Sequence, residues 1–163
     1  MDIIKYIEDL LAASKEESSP GNLPATIRIE NFAQAKRVTK PWGYELWLSG
    51  ATDTPYAFKI IYIKQGTKTS LQLHRQKSEH NCVFVGEINF YYEDSVTKKV
   101  EKVRLGPGHV AKVLPNTVHR VEALTDVVLI EASSPELDDV VRLADDYVRS
   151  DGRIESEHSG QAQ

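Results

Sequence analysis

Residues 66–86 read GTKTSLQLHRQKSEHNCVFVG, with polar side chains set between two segments that have the character of β-strands. Alternation along SLQLH places Gln72 and His74 on one face of a strand and leucines on the other. Glu79 follows shortly before the apolar run CVFV. Imidazole nitrogens and carboxylate and amide oxygens bind divalent ions. These polar residues therefore predict a ligand site facing the interior of a β-rich domain.

Short apolar runs separated by turn residues continue through most of the chain. The predicted strands are TIRIE, YELWL, YAFKIIYI, SLQLH, CVFVGEINFYY, KKVEKVRLG, HVAKVLP, HRVEAL and DVVLIEAS. Many short strands at close spacing, with turns such as KQGT and GPG between them, are typical of an antiparallel sandwich or barrel. Residues 135–153 have a mixed pattern, which predicts a short helix or an irregular cap. The fold class predicted from the pattern is all-β.

The pattern divides the chain into three segments. Residues 1–25 form a predicted helix and linker, because apolar residues recur at helical spacing before the breakers SSPGNLP. The apolar positions of this helix are Ile3, Ile4, Ile7, Leu10 and Leu11. Residues 26–150 form the predicted β domain. Residues 151–163 are polar and predict a disordered tail.

Composition excludes several classes of function. The 163 residues suit one domain with a full core, and the net charge of −4 favours neither nucleic acid nor an anionic membrane as a partner. Cys82 is the only cysteine, so an intrachain disulfide and a cysteine-rich zinc module are both excluded. The N-terminal helix carries acids among its apolar residues, unlike a signal peptide. We expect a cytoplasmic protein.

A second histidine, His119 in PNTVHR, comes from a distant part of the chain. With Gln72, His74 and Glu79 it completes a set of nitrogen and oxygen ligands for a divalent ion such as zinc, manganese, iron or nickel. A single histidine in a strand is ordinarily a structural residue. The metal prediction therefore depends on the spacing of the whole set.

The spacing resembles the two motifs of the cupin family. The first motif matches Gly66, Gln72, His74, Glu79 and Gly86, with glutamine in place of the first histidine. The second matches Gly108, Pro115 and His119. The resemblance implies a cupin double-stranded β-helix, a jelly-roll barrel, with an N-terminal α-helix added to it.

A narrower resemblance is to the cupin phosphomannose isomerases (mannose-6-phosphate isomerases). SLQLHRQKSEH is similar to their SLQ-x-H…EHW segment, with Asn81 in place of the tryptophan, and KPWGYE and DDVVRLADDYVR resemble their flanking segments. The resemblance covers residues 38–149. It implies metal ligands at Gln72, His74, Glu79 and His119, with zinc as the first expectation and manganese, nickel or iron as alternatives.

Aldose–ketose isomerisation requires polarised sugar oxygens, a group that moves a proton and cations that hold a phosphate. The candidates are Lys59, Lys77 and Arg120. We expect Lys59 and Arg120 to bind the anionic group and Lys77 to assist proton transfer. Alternation turns Arg120 away from His119 unless the strand carries a bulge. Lys59 and Lys77 could instead be solvated.

Three functions remain open from the sequence. The first is a metal-dependent isomerase acting on a sugar phosphate of the mannose 6-phosphate type. The second is a non-catalytic cupin that binds a sugar or a sugar nucleotide in polysaccharide biosynthesis. The third, a metal-dependent oxygenase, is disfavoured by Gln72, because a neutral amide holds redox iron less well than imidazole. Open sheet edges further predict a homodimer.

Overall fold

The structure is a computed structural model that describes residues 2–13, 24, 26–27, 34–50 and 54–159. The chain divides into two compact units, residues 1–36 and residues 37–163. No helix of the described residues is both long enough and apolar enough to cross a bilayer.

The first unit contains the predicted N-terminal helix. Helix α1 spans Ile3–Ala13. The Asp2 carboxylate accepts hydrogen bonds from the backbone N–H groups of Ile4 and Lys5, at 3.1 and 3.2 Å, and so satisfies two donors that the first turn leaves unpaired. The side chains at positions 10 and 11 lie outside the described residues, as do positions 28–30 of the predicted strand TIRIE.

Eleven strands are present in the described part of the chain. They are β1 (Lys36–Lys40), β2 (Gly43–Ser49), β3 (Ala57–Ile63), β4 (Leu71–Leu73), β5 (Glu79–Val85), β6 (Ile88–Glu93), β7 (Val100–Leu105), β8 (Val110–Val113), β9 (His119–Ala123), β10 (Val127–Ser133) and β11 (Val141–Ala144). One sheet has the order β1-β2-β3-β10-β5-β8 and the other β11-β4-β9-β6-β7. Strands β2–β11 pair antiparallel. The two antiparallel sheets confirm the predicted all-β fold class.

The interior face of the six-stranded sheet changes from apolar to charged along its strands. Ile61 of β3 lies opposite Leu129 of β10, and both are buried in the main apolar cluster. Two residues further along, Lys59 lies opposite Glu131, and both are buried as well. Alternation keeps all four side chains on one face. The strands therefore pack an apolar core at one end and hold charged groups at the other.

Two glycines permit close approaches of the backbone. Gly86, between β5 and β6, has a φ of +85°, and a Cβ there would lie 2.2 Å from the carbonyl oxygen of Asp126. Gly43, at the start of β2, has a φ of +152°, and a Cβ would lie 2.1 Å from the carbonyl oxygen of Tyr62. Neither position accepts a side chain without displacing backbone.

The C-terminal segment is more regular than its mixed sequence indicated. Residues 135–153, predicted as a helix or an irregular cap, contain strand β11. Residues 151–159 were predicted to be disordered, but helix α2 spans Glu155–His158 and its Glu157 is buried. Glu157 lies 2.8 Å from Lys40 Nζ and 3.1 Å from Arg149 Nη1. These ion pairs fix a polar segment that has too few apolar residues to indicate its order from sequence.

Candidate metal centre

Two histidines and one glutamate converge at the charged end of the interior. The ligand atoms of His74, Glu79 and His119 all lie within 4.8 Å of one another, and all three residues are buried. Glu79 begins β5 and His119 begins β9, while His74 follows the last residue of β4. Both sheets therefore contribute to the cluster, which brings together three of the four residues that the sequence predicted as metal ligands.

Both imidazole rings are oriented by backbone carbonyls. His119 Nδ1 lies 3.0 Å from the carbonyl oxygen of Thr117, and His74 Nδ1 contacts the carbonyl oxygen of Asp139. A carbonyl only accepts hydrogen bonds, so each Nδ1 carries a proton and donates. In the neutral ring this leaves a lone pair on Nε2, and both Nε2 atoms face Glu79. This arrangement is the one that orients histidine ligands in metal sites.

The distances suit a divalent ion. His119 Nε2 lies 3.1 Å from Glu79 Oε1, and His74 Nε2 lies 3.5 Å from Glu79 Oε2. Ligand atoms around tetrahedral zinc, with bonds of about 2.0–2.1 Å, are separated by roughly 3.4 Å. A lone pair facing a carboxylate oxygen is satisfied only by a proton or a cation between the two atoms. The three residues therefore fit a metal ion.

Gln72, the fourth predicted ligand, lies beside the cluster. Its Nε2 is 3.5 Å from His74 Nε2, while its Oε1 accepts a hydrogen bond of 2.5 Å from Ser70 Oγ. Ligation through the amide oxygen requires a half-turn of the amide. After that turn the amide NH₂ would donate to the Ser70 hydroxyl, which can accept as well as donate.

Asp139 organises the loop that carries His74 and Lys77. Its carboxylate accepts hydrogen bonds from the backbone N–H groups of Arg75, Gln76 and Lys77, at 3.1, 2.6 and 3.1 Å. Burial would raise the pKa of Asp139, but these hydrogen bonds outweigh burial and lower it. Its own carbonyl accepts from His74. Sequence reasoning missed this residue, because DDVVR gave no sign of which aspartate folds back onto the site.

Buried charges of alternating sign extend from the cluster across the six-stranded sheet. Lys77 Nζ lies 2.5 Å from Glu79 Oε2 and 2.8 Å from Glu131 Oε1. Lys59 Nζ lies 3.6 Å from Glu131 and 3.2 Å from Glu45 Oε2. Lys77 and Lys59 are thus buried and paired, which resolves the open question of whether they are solvated. Their carboxylate partners Glu131 and Glu45 were not predicted.

The pairing determines the ionisation of the carboxylates. Burial alone would raise the pKa of Glu79, but the Lys77 ammonium holds it well below its usual range. Burial likewise opposes ionisation of Glu45, whose pKa the charges of Lys59 and Lys40 lower to about 2. For Lys77, burial would lower the pKa, and the two carboxylates raise it instead. Glu79, Glu45 and Lys77 are therefore ionised at neutral pH.

Arg120, predicted to bind an anion, does not reach the cluster. Its Nε donates to the carbonyl oxygen of Thr69 at 2.7 Å, and its Nη2 lies 2.7 Å from Asp146. The register of β9 is regular here, with His119 opposite Tyr92 and Arg120 opposite Tyr91, so no bulge turns Arg120 inward. Arg120 therefore points away from the cluster, as the alternation of side chains along the strand predicted.

The cluster of His74, Glu79 and His119 opens into a cavity that most of the polar residues described above line. Trp47 and Lys59 line it on one side, and Gln72 and Arg142 line it on the other. Trp47 donates to Glu45 at 2.7 Å, and the Lys59 ammonium lies 4.9 Å from the centre of the Trp47 ring. The cavity can therefore bind a polar molecule next to the cluster.

Comparisons with known proteins agree with this architecture. Mannose-1-phosphate guanylyltransferase RfbM of Salmonella typhimurium is 30% identical over 118 residues, which are 69% of this chain and 23% of that protein. The chain thus spans less than a quarter of that relative's length.

Solved structures share the fold at low sequence identity. CapF of Staphylococcus aureus, a capsular polysaccharide assembling protein, has a TM-score of 0.60 at 17% identity, over 76% of this chain and 34% of that chain. Oxalate decarboxylase of Bacillus subtilis has a TM-score of 0.59 at 15% identity, over 72% and 33%. KdgF of a Halomonas species has a TM-score of 0.51 at 23% identity, over 61% and 84%. At these identities the likeness establishes the fold alone.

The family match is the more specific result. Residues 28–145 match the family described as mannose-6-phosphate isomerase C-terminal. The matched range contains the three clustered ligand residues and the lysines paired with them. It also confirms the resemblance drawn from SLQLHRQKSEH. This chain is a cupin and belongs to the mannose-6-phosphate isomerase C-terminal family.

Proposed function

We propose that the chain is a metal-dependent sugar-phosphate isomerase-like cupin, which interconverts the aldose and ketose forms of a substrate of the mannose 6-phosphate type. One observation carries the proposal. His74, Glu79 and His119 converge in a cavity that also holds the buried pair Lys77 and Glu131. Membership of a family named for mannose-6-phosphate isomerase supports the choice of substrate.

His74, Glu79 and His119, with Gln72 after rotation of its amide, would hold the ion. Zinc is the first choice, and manganese, nickel or iron are alternatives, because the ligands are mixed nitrogen and oxygen donors. When bound, such an ion supplies Lewis-acid polarisation of the oxygens on C1 and C2 of the sugar.

The chain's own residues would move the proton between C1 and C2. Glu131 lines the cavity as a carboxylate and would take the proton from one carbon and return it to the other. Lys77, which donates to Glu131 at 2.8 Å, would hold that carboxylate in place and stabilise negative charge nearby. Lys59 pairs with Glu131 and Glu45, so it would position Glu131 rather than bind phosphate.

The first experiment measures metal content and turnover together. Protein purified without chelator is loaded with zinc, manganese, nickel or ferrous iron, and conversion of mannose 6-phosphate to fructose 6-phosphate is followed. We expect about one equivalent of ion in the wild type and loss of both ion and turnover in His74→Ala and His119→Ala. His80→Ala is the matched control, because His80 is exposed and adjacent to Glu79 in β5. Retention of the ion in both ligand variants would contradict the proposed site.

A second pair of variants tests the proton-transfer role. Glu131→Gln removes the base but keeps the shape, so turnover should fall by roughly 100-fold or more while metal content is retained. Ser133→Ala is a control on the same interior face of β10. Equal turnover in Glu131→Gln and the wild type would exclude Glu131 as the base.

A second candidate function is a non-catalytic cupin that binds a sugar or a sugar nucleotide. A specific observation favours it: Asn81 donates to Glu79 Oε1 at 2.9 Å, and Lys77 donates to Oε2 at 2.5 Å. Both carboxylate oxygens thus have donors from the chain itself, as in a polar binding pocket that needs no ion. Calorimetric binding of mannose or GDP-mannose to protein that takes up no metal would favour this candidate.

We also propose a cytoplasmic homodimer. Phe58, Phe84 and Val110 are exposed and project from the outer face of the six-stranded sheet. Apolar side chains on one sheet face support association between copies. Light scattering coupled to size exclusion measures the mass directly, and a mass close to 18.3 kDa at micromolar concentration would exclude the dimer.

A further inference from the structure

Residues 153–159, here called the C-terminal strap, separate the cavity from solvent. Ile154 and His158 line the cavity. They are four positions apart across the single turn of α2, so they lie on the same side of it. Glu155 and Ser156, between them, are exposed. The strap is therefore a part of the cavity wall that has solvent on its other side.

The ligand cluster behind this wall is nearly closed to solvent. His74, Glu79 and His119 are 1%, 4% and 3% exposed. Side chains buried to this degree scarcely contact water, and a sugar is much larger than a water molecule. A sugar can therefore reach the cluster only when a part of the cavity wall moves.

The backbone of the C-terminal strap is not tied to the barrel. In the described part of the chain, its backbone–backbone hydrogen bonds join residues 154–159 to one another, at 3.0 Å. The residue before the strap is anchored, because the Gly152 N–H donates to the carbonyl oxygen of Val140 at 2.8 Å and the Gly152 carbonyl accepts from Arg142 Nη1 at 2.9 Å. Segments with few backbone bonds to the rest of a protein open locally at low cost in free energy. The strap can therefore swing about Gly152 while the barrel stays folded.

Side chains hold the C-terminal strap against the barrel. The buried carboxylate of Glu157 lies 2.8 Å from Lys40 Nζ and 3.1 Å from Arg149 Nη1. The His158 ring lies edge-on to the Trp47 ring, with 5.3 Å between the ring centres. Glu157 is thus the charged contact that fixes the strap in its closed position.

Both cations that bind Glu157 have a second carboxylate. Lys40 Nζ lies 3.7 Å from Glu45 Oε1, and Arg149 Nη2 lies 2.7 Å from Asp145 Oδ1. A buried charge that loses its only partner is strongly destabilising. Here the release of Glu157 leaves each cation paired, and the freed carboxylate enters water. The contact can therefore break and form again without leaving a buried charge unpaired.

We propose that the C-terminal strap is a lid on the cavity, which opens about Gly152 when Glu157 leaves Lys40 and Arg149 and closes when these pairs form again. The closed lid excludes bulk water from the cavity, which strengthens the electrostatic interactions inside it. The lid goes beyond the proposed function and does not depend on it, because an isomerase and a sugar-binding cupin both have to admit a ligand to the cavity.

Hydrogen exchange tests the lid on the protein as purified. Deuterium uptake by backbone amides is followed by mass spectrometry on the wild type, Glu157→Gln and Glu155→Gln. Glu155→Gln is the matched control, because Glu155 is an exposed residue of the same turn and its ion pair, with Arg153 at 2.6 Å, lies within the strap. Circular dichroism and thermal unfolding verify that both variants are folded.

We expect the strap of the wild type to exchange faster than β3 and β10, the central strands of the six-stranded sheet. Glu157→Gln should speed exchange in the strap by roughly 10-fold or more, the range for loss of hydrogen bonds between charged groups. Exchange in β3 and β10 should not change in this variant. Glu155→Gln should exchange like the wild type throughout.

Acrylamide quenching of tryptophan fluorescence measures access to the cavity itself. Both tryptophans of the chain, Trp42 and Trp47, line the cavity. Acrylamide is a neutral molecule smaller than a sugar, so it reaches the two rings more often when the lid is open. The quenching constant should therefore rise in Glu157→Gln and stay at the wild-type value in Glu155→Gln.

Three results would overturn the lid. The first is a strap that exchanges in the wild type as slowly as β3 and β10, because it then opens only when the whole barrel unfolds. The second is faster exchange throughout the barrel of Glu157→Gln, which would make Glu157 part of the global fold. The third is equal exchange and equal quenching in Glu157→Gln and the wild type. Neither measurement uses a metal or a substrate, so the lid and the proposed function fail by separate readouts.

Discussion

The ammonium nitrogen of Lys77 lies 2.5 Å from Oε2 of Glu79, the carboxylate that both histidines of the cluster face. A cation fixed at this distance neutralises the same group that would hold a divalent ion. Lys77 and an ion therefore compete electrostatically for Glu79, even though they need not occupy the same position. Removal of Lys77 should leave the folded protein dependent on metal.

The first prediction concerns Lys77→Met. The variant leaves Glu79 and Glu131 buried without their shared cation, so the metal-free protein should lose roughly 3–5 kcal/mol of unfolding free energy. Zinc should raise its melting temperature by more than it raises that of the wild type, because the ion then supplies the missing charge. Thermal unfolding with and without zinc measures both effects, with Lys112→Met on exposed β8 as control. If zinc raised the melting temperature of the wild type, Lys77→Met and Lys112→Met equally, Lys77 and the ion would not compete for Glu79.

The second prediction concerns Asp139→Ala. Without the carboxylate, three backbone N–H groups of the loop lose their acceptor, and the loop no longer holds His74 in one orientation. Loss of such an outer interaction should weaken metal affinity by about 10–100-fold. Competition titration with a chromogenic chelator gives the affinity. Asp138→Ala, at the exposed neighbouring position, should have the metal affinity of the wild type. An equal loss of metal affinity in both variants would mean that the effect does not depend on the Asp139 carboxylate.

The third prediction is a pH dependence from Glu45. Its folded-state pKa is about 2, below the ordinary 4.5 of an unfolded glutamate, so its contribution is fully present above pH 4.5 and is lost as the pH falls toward 2. The shift corresponds to about 3 kcal/mol. Glu45→Gln should therefore be less stable than the wild type at pH 7 by about that amount, and the difference should shrink below pH 4.5. Urea unfolding from pH 7 to pH 3 measures the difference in unfolding free energy between the two proteins. A difference that does not change with pH would show that ionised Glu45 is not its cause.

Short-range rules place His74 and Glu79 near each other, whereas His119 was grouped with them only by the motif spacing that resembles cupins. Alternation in SLQLH sets the direction of His74, and a fixed offset brings Glu79 to the start of the next strand. The partner carboxylates were harder to find. Glu131 interrupts the apolar run DVVLIEAS in the way that Lys59 interrupts YAFKIIYI, and pairing these two anomalies would have indicated a buried cross-strand ion pair.

The remaining residues depend on contacts that no local pattern encodes. Asp139 lies in a segment without clear periodicity, and its role follows from hydrogen bonds to the backbone of residues 75–77, more than sixty positions away along the chain. The order of residues 151–159 depends on Glu157 meeting Lys40 and Arg149. Such long-range charge pairs stabilise a segment only after the barrel has formed, so composition alone indicated a disordered tail.

The fourth prediction concerns Arg120→Met, which tests whether Arg120 stabilises the fold or binds an anion. Arg120, which does not line the cavity, connects β9 to Thr69 and Asp146. Arg120→Met should therefore reduce the free energy of unfolding by about 1–3 kcal/mol through lost charge-assisted hydrogen bonds. Metal content and the affinity for mannose 6-phosphate should remain those of the wild type. Chemical unfolding and calorimetry on the same preparation measure the two properties. A weaker affinity at unchanged stability would return Arg120 to the anion-binding role that the sequence predicted.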